Sequence, residues 1–271
     1  MMRVGFIGLG NQGGPMARRI IDAGFPTTLW ARRTATLEPF ADTTAKPASS
    51  PAELAAASDL VCVCVTGDTD VEQVLVGGGV LSAMPPDGVV AVHSTVHPDT
   101  CHDLAQQAGQ HGVWLIDAPV SGGGPAAAQG RLLVMAGGDA DVVQRCRPVF
   151  ESFSDAVIHL GDLGSGQTAK LLNNLLFTAN LGTAAAALAL AADLGVAPER
   201  LAAVVSRSSG NSFALKSIGR TGGLERLAGL AGTLLRKDVR LLADLAEQAS
   251  ASGGVALDAA DAALTLMDVA R

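Results

Sequence analysis

The stretch Arg3-Val-Gly-Phe-Ile-Gly-Leu-Gly-Asn-Gln-Gly-Gly14 decides the fold of this chain. Its first half, Arg3–Gly8, has the composition of a buried strand, and a helical stretch, Gly14–Ala23, follows almost directly. Three glycines with the spacing G-x-G-x-x-G lie at the junction, and they are Gly8, Gly10 and Gly13. In such a turn the first glycine permits a tight bend, the second lets the backbone approach a pyrophosphate, and the third allows close packing of helix on strand. Because the helix N-terminus also favours an anion, the stretch predicts a dinucleotide site.

Apolar runs rich in β-branched residues recur through the first half of the chain. They are Phe25–Trp30, Asp59–Thr66, Gly88–His93 and Val113–Asp117, with two later candidates at Leu132–Ala136 and Ala156–His159. Helical stretches such as Pro51–Ala57 and Pro98–Gly109 separate several of these runs. Strands that alternate with helices predict a parallel sheet with right-handed crossovers.

The second half of the chain has a helical pattern, and no strand-like run follows Gly166. One long helix is predicted over Gln167–Leu194, and Gly195 and then Pro198 end it. Further helical stretches are Leu201–Ser206, Leu234–Ala249 and Leu257–Val269. The prediction is an α/β fold: a dinucleotide-binding Rossmann-type domain over residues 1–163, then an all-helical substrate and oligomerisation domain over residues 164–271, joined by a long helix.

Composition restricts the classes of function. The net charge of −7 over 271 residues argues against a nucleic-acid binder that relies on a basic surface. The four cysteines show no disulfide framework, and the five histidines show no metal-ligand spacing, so no metal is expected. The start of the chain has no signal-peptide layout, and we expect a cytoplasmic protein. The uncharged stretch Leu175–Ala192 has the length of a membrane span, but Asn180 interrupts it and Asp193 closes it, which favours a helix buried in protein.

The end of the second predicted strand bears on the choice of cofactor. It reads Trp30-Ala31-Arg32-Arg33-Thr34, where an NAD site usually has an acidic residue for the ribose hydroxyls. Guanidinium groups pair well with a ribose 2′-phosphate, so Arg32 and Arg33 favour NADP, with NAD possible. The alternative is that both arginines are solvated at a strand end.

Two later stretches combine an anion-binding turn with a proton donor. Asp117–Gly124 (DAPVSGGG) follows a strand, and its backbone N–H groups with the Ser121 hydroxyl could hold a carboxylate. In the predicted long helix, Lys170 shares a face with Asn173 and Asn174, because residues three and four apart are neighbours. A partly desolvated lysine can exchange a proton, and an asparagine can hold a substrate oxygen. The alternatives are a structural loop and a solvent-facing lysine.

Four motifs, in order, resemble the β-hydroxyacid dehydrogenases, which include 3-hydroxyisobutyrate dehydrogenase and the semialdehyde reductases. The matching segments are Gly5–Ala17, Asp117–Gly123, Gly164–Asn174 and Leu234–Asp238. The second and third are specific to the family, and the first is shared by many dinucleotide enzymes. Four places depart from the family pattern: Gln12 in the glycine loop, Ala31 before the arginine, His93 before the Ser94-Thr95 pair, and Gly124-Pro125-Ala126 after the DAPVSGG turn.

The resemblance implies that Lys170 is the catalytic acid/base and that Asn174 assists in binding the substrate carboxylate. It implies that Ser121, Gly122 and Gly123 bind the substrate carboxylate, that Thr95 lies near the nicotinamide, and that Lys237 closes over the cofactor with support from Asp238. The full set of expected cofactor-binding residues is Gly8, Leu9, Gly10, Asn11, Gln12, Gly13, Ala31, Arg32, Arg33, Thr34, Val65, Thr66, Thr95, Lys237 and Asp238. Members are commonly homodimers or homotetramers.

The sequence therefore predicts an NADP-dependent oxidoreductase that interconverts a small β-hydroxyacid and its semialdehyde or keto form. Two other functions stay open. An imine reductase would share the architecture but typically has another residue in place of Lys170. A non-catalytic NADP-binding regulatory protein would have no need of a proton donor there.

Overall fold

The computed structural model describes all 271 residues. They divide into two compact units, Met1–Lys170 and Leu171–Arg271. The first unit contains every strand, and the second is helical. This α/β architecture, with a helical region after the sheet, confirms the predicted fold class.

A six-stranded parallel sheet forms the centre of the first unit. Its strands are β1 (Val4–Ile7), β2 (Thr27–Trp30), β3 (Lys46–Pro47), β4 (Leu60–Val63), β5 (Val89–Val92) and β6 (Trp114–Asp117). Their spatial order is β3-β2-β1-β4-β5-β6. The chain runs outward from β1 in one direction and then in the other, so β1 and β4 flank the point where the order reverses. Open α/β sheets bind ligands in the crevice beyond the carboxyl ends of the strands at such a point.

Helices cover both faces of this sheet because its strands are apolar on both faces. The helices are α1 (Gly13–Asp22), α2 (Pro51–Ala56), α3 (Asp68–Glu72), α4 (Val80–Ala83), α5 (Pro98–Gly109), α6 (Gly123–Ala128) and α7 (Ala140–Phe150). Alternate strand residues enter opposite cores: Phe6 and Cys62 pack in one, and Ile7 and Val63 in the other. The near-continuous apolar runs of the sequence are thus those of strands buried on both sides.

The two late strand candidates form a separate sheet with a strand that the sequence did not predict. This sheet contains β7 (Val120–Ser121), β8 (Leu132–Ala136) and β9 (Ser154–His159), with β7 antiparallel and β9 parallel to β8. A pair of backbone hydrogen bonds between Asp117 and Gly137 connects it to the end of β6. Only two residues of β7 pair, which is too short for an alternating pattern to be visible in the sequence.

The second unit is built around the long helix α8 (Ser165–Asp193), which begins in the first unit. Its other helices are α9 (Pro198–Val205), α10 (Phe213–Thr221), α11 (Leu224–Gln248) and α12 (Gly254–Leu266). Leu171 and Leu175 of α8 pack with Leu235 and Val239 of α11 in one core. The sequence predicted α8, α9, α11 and α12 but not α10, and it placed the start of α11 ten residues too late.

One face of α8 is apolar but not covered by this chain. An 18-residue window of the helix has a mean hydropathy of 1.7, yet only 33% of that window is buried. By length and composition alone this helix meets the criterion for a membrane span. The core helix of a water-soluble protein meets the same criterion. The sequence predicted that this helix is buried in protein, and a single chain buries only part of it.

Candidate active site

The glycine loop after β1 has the geometry that a pyrophosphate requires. Gly8 has φ +100°, and a side chain there would collide with the carbonyl of Cys64. A side chain at Gly13 would collide with the carbonyl of Gly8. At Gly10, by contrast, an added Cβ would meet no atom within 4 Å. Two glycines are therefore fixed by close packing, and the middle one borders open space into which a ligand can come close to the backbone.

The start of α1 suits an anion. The side chain of Gln12, the residue that precedes the helix, makes no capping hydrogen bond, and the first turn contains no acidic residue. The Gly14 N–H donates to the Gly10 carbonyl oxygen (2.8 Å), which closes the loop onto the helix, and the helix dipole favours negative charge at this end. The residues present thus fit the pyrophosphate of a dinucleotide.

The arginines after β2 lie at the surface, and a carboxylate accompanies one of them. Arg32, Arg33 and Thr34 are all exposed. Arg32 Nη1 lies 3.7 Å from Asp70 Oδ1, and the two side chains are 71% and 30% exposed. Asp70 belongs to α3, 38 residues further along the chain, so sequence reasoning did not associate it with this position. An acidic side chain is thus present beside the arginine that the sequence assigned to a ribose 2′-phosphate.

The loops after β4 and β5 are joined by hydrogen bonds. The Val65 N–H donates to Ser94 Oγ (2.8 Å), and the buried Gln167 side chain bonds the backbone on both sides of Thr95. Thr66 is exposed, and Thr95 is partly buried. Val65 and Thr95, two of the expected cofactor residues, therefore lie on adjoining loops at the carboxyl edge of the sheet.

The turn after β6 is glycine-dependent and contacts the glycine loop. Gly122 has φ +129° and Gly123 has φ +73°, conformations that other residues rarely adopt. An added Cβ at Gly124 would collide with the carbonyl oxygen of Asn11. Ser121 is partly buried just before these glycines. The structure therefore brings the expected carboxylate-binding turn against the expected dinucleotide loop.

Asp117, at the end of β6, holds the first turn of α8. Its wholly buried carboxylate accepts hydrogen bonds from the N–H groups of Gly164 and Gln167, both at 2.7 Å. Burial raises the pKa of this carboxyl above its usual value, while the two N–H donors act in the opposite direction. Lys170, which is partly buried, follows Gln167 by one turn of the same helix. The sequence contained Asp117 in its motif but gave no sign of its partners, which lie 47 and 50 residues away.

In the second unit the structure brings together three of the expected residues. Asn174 Nδ2 donates to Asp238 Oδ2 at 2.6 Å, and Lys237 Nζ lies 2.9 Å from Asp238 Oδ1. Asp238 is buried, and its Oδ1 makes this ion pair without a well-angled hydrogen bond. The carboxylate of Asp238 thus fixes the amide of Asn174 and neutralises the Lys237 ammonium.

His93, the departure before the Ser94-Thr95 pair, is a core residue. Its Nδ1 lies 2.7 Å from the Ala118 carbonyl oxygen, and the rings of Phe150 and Phe153 meet it edge-on with centroids 5.4 and 5.7 Å away. Burial lowers the pKa of His93 to about 4. The imidazole is therefore neutral near pH 7 and belongs to the core of the first unit.

Comparisons with known sequences identify the family. Residues 3–161 match the NAD binding domain of 6-phosphogluconate dehydrogenase. Residues 164–270 match the NAD-binding domain of NADP-dependent 3-hydroxyisobutyrate dehydrogenase. The chain belongs to the β-hydroxyacid dehydrogenase family.

The relatives of this chain include hydroxyacid dehydrogenases. The chain is 33% identical over 261 residues to the NAD-dependent L-serine dehydrogenase of Pseudomonas aeruginosa, with 93% of this chain and 87% of that protein covered. It is 31% identical over 252 residues to the mitochondrial 3-hydroxyisobutyrate dehydrogenase of Mus musculus, with 90% and 75% covered.

A solved structure of Mycobacterium tuberculosis 3-hydroxyisobutyrate dehydrogenase with L-serine superposes with a TM-score of 0.87. That chain is 27% identical, and the match covers 99% of this chain and 94% of the other. These findings confirm the resemblance found in the sequence. The protein is a nicotinamide-dependent oxidoreductase that acts on CH–OH groups, and its cofactor is NAD or NADP.

Proposed function

We propose that this β-hydroxyacid dehydrogenase prefers NADP and interconverts a small β-hydroxyacid and its semialdehyde or keto form, with Lys170 as general acid/base. The observation that supports this most strongly is the shared anchor at the end of β6. Asp117 fixes the helix turn that leads to Lys170, and four residues later the same segment enters the Ser121–Gly123 turn, which continues into contact with the glycine loop.

In this proposal the turn binds the substrate carboxylate. The Ser121 hydroxyl and the N–H groups of Gly122 and Gly123 supply the donors, because positive φ values at both glycines expose the backbone. A fixed carboxylate places the β-carbon of a small substrate at a constant distance from the cofactor loop. Such positioning converts an encounter between two molecules into a reaction within one complex.

Lys170 then exchanges the proton of the reacting oxygen. The glycine loop after β1 would hold the dinucleotide, whose nicotinamide would supply the hydride acceptor for oxidation and the hydride donor for reduction. Lys170 Nζ removes the proton from the hydroxyl oxygen in oxidation and returns it to the carbonyl oxygen in reduction. Asn174, which follows Lys170 by one helical turn, assists by holding the substrate, and its bond to Asp238 keeps its amide in one orientation.

The remaining expected residues serve the cofactor. Arg32 supplies a guanidinium for the 2′-phosphate of NADP, with Arg33 and Thr34 beside it. Thr95 lies at the nicotinamide end, and Lys237 closes over the cofactor with Asp238 as its counter-ion. Residues 1–163 serve as the dinucleotide domain and residues 164–271 as the substrate and oligomerisation domain.

The test is turnover of a substrate panel by wild type and by Lys170→Ala. The panel contains 3-hydroxyisobutyrate, glycerate, 3-hydroxybutyrate and L-serine, each with NAD⁺ and with NADP⁺, followed at 340 nm. We expect at least one substrate to turn over and kcat of Lys170→Ala to fall about 10²- to 10⁴-fold, the usual contribution of general acid–base catalysis. Lys216→Ala, an exposed lysine of α10, is the matched control and should keep wild-type rates. Undiminished turnover in Lys170→Ala would exclude the role. Turnover of a cyclic imine with NADPH, together with no turnover of the hydroxyacid panel, would favour an imine reductase.

We also propose that the enzyme is a cytoplasmic homodimer or homotetramer whose subunits meet through the uncovered face of α8. Leu172, Leu176, Leu190 and Leu194 are 51%, 60%, 57% and 73% exposed. An exposed apolar stripe of this size on a single chain marks an interaction surface. Light scattering after gel filtration should show an oligomer, and Leu176→Glu should shift it toward the monomer. A monomeric wild type would refute this assembly.

A further inference from the structure

Gln167 is a wholly buried polar side chain with no assigned role. Its Nε2 donates to the Ser94 carbonyl oxygen at 2.8 Å, and its Oε1 accepts a hydrogen bond from the Val96 N–H at 3.1 Å. Both ends of the amide are therefore satisfied by backbone that lies 71 and 73 residues away. Burying an amide is unfavourable unless its hydrogen bonds are replaced, so this position is specific for a side chain with one donor and one acceptor.

The two hydrogen bonds of the Gln167 side chain lie on either side of one residue, Thr95. Ser94 and Val96 are the immediate neighbours of Thr95, so the amide of Gln167 fixes the backbone on either side of it. The Ser94 hydroxyl in turn accepts the Val65 N–H, which connects the same segment to the loop after β4. The group that holds Thr95 thus also holds the neighbouring loop of the cofactor site.

The backbone of Gln167 is fixed as firmly as its side chain. Its N–H donates to the buried carboxylate of Asp117, so Gln167 is attached both to the end of β6 and to the loop after β5. Lys170 is three residues later, and residues three apart share a face of a helix. A rotation or shift of the first turn of α8 would therefore break the Gln167 bonds and displace Lys170 at the same time.

We propose that Gln167 is a positioning residue for catalysis: it sets the Lys170 turn of α8 in register with the loop that carries Thr95. The inference rests on the proposed functions of Lys170 and Thr95. Asp117 holds the backbone at the start of α8 to the end of β6, and the Gln167 side chain connects that same turn to the Thr95 loop. Gln167 touches no reacting atom and acts through these two residues.

The first test is Gln167→Met, which keeps a long side chain and removes both hydrogen bonds. We expect kcat to fall about 10- to 100-fold, because a displacement of about 1 Å in an active site has effects of this size. KM for the hydroxyacid should stay within about twofold. The matched control is Thr168→Val, which removes a hydroxyl bond to the Gly164 carbonyl oxygen in the same helical turn (2.9 Å) and should keep wild-type kcat.

The second test is the pH dependence of Gln167→Glu. A protonated glutamic acid has the shape of glutamine and supplies one donor and one acceptor, whereas the ionised form cannot donate to the Ser94 carbonyl oxygen. Burial raises the pKa of such a carboxyl above about 4.3. We expect kcat near the wild-type value at pH 5 and a decline toward the Gln167→Met value as the pH rises, with no such step in wild type.

These outcomes separate the inference from the proposed function. Retained turnover in Lys170→Ala would overturn the function of the lysine itself. Loss in Lys170→Ala with wild-type kcat in Gln167→Met would overturn only the positioning role. A Gln167→Glu variant as inactive at pH 5 as at pH 8, or an equal loss in Thr168→Val, would also overturn it. If Gln167→Met does not fold, the Glu variant at low pH provides the measurement.

Discussion

Removal of the Arg32 guanidinium should weaken NADPH binding and leave NADH binding nearly unchanged. The two cofactors differ only in the 2′-phosphate, which is the group that Arg32 is proposed to hold. Hydrogen bonds to a charged group contribute about 1.5–3 kcal/mol each. Since about 1.4 kcal/mol corresponds to a tenfold change in affinity, Arg32→Ala should raise the dissociation constant of NADPH about 10- to 150-fold.

The neighbouring Asp70 carboxylate should have a smaller effect on NADPH affinity, of opposite sign. Two unit charges separated by the 3.7 Å between Arg32 and Asp70 attract by about 1 kcal/mol in water. Because Arg32 is 71% exposed, solvent screening brings such a pair to about 0–1 kcal/mol. Asp70→Asn removes both the competing partner and a negative charge near the phosphate. It should therefore tighten NADPH binding, by at most about fivefold.

The assay is titration of NADPH and NADH against wild type, Arg32→Ala and Asp70→Asn, followed by cofactor fluorescence. Repetition at several salt concentrations should show the NADPH effect weaken as ionic strength rises. Arg200→Ala, an exposed arginine of α9, is the control and should bind both cofactors as wild type does. An equal loss for both cofactors in Arg32→Ala, or no loss for NADPH, would refute the assignment of the phosphate to this arginine.

Two further predictions concern buried groups of the first unit. Asp117→Ala leaves two N–H groups without their 2.7 Å partner, so it should lower the free energy of unfolding by about 2–5 kcal/mol in urea denaturation. Asp117→Asn should lower it less. Equal stability of Asp117→Ala and wild type would contradict the proposed anchor. His93 binds a proton near pH 6.5 in the unfolded chain but only near pH 4 in the fold, so wild-type stability should be fully present above pH 6.5 and fall by about 3 kcal/mol as the pH drops from 6.5 to 4. His93→Leu should flatten this slope, and an unchanged slope in thermal melts would show that another group causes it.

The sequence also had clear limits as a guide to the site. Asp117 was visible as the acid of a motif, and Gln167 as part of another, but their contacts with each other and with Ser94 were not. The positive φ values of Gly122 and Gly123 were foreseeable from the glycines, whereas the contact of Gly124 with Asn11 was not. Each missed contact joins loops that are adjacent in the sheet and far apart in the chain.

The sequence by itself determined the elements: the glycine turn between β1 and α1, the strands buried on both faces, and a helical second half. These elements can be predicted from residues close in sequence, because apolar periodicity and glycine spacing are local patterns. Only the tertiary structure decided that Asp70 lies beside Arg32 and that Gln167 holds the backbone around Thr95. Those pairs depend on strand order and on the point at which α8 starts, and no local pattern encodes either, because each results from the packing of the whole sheet.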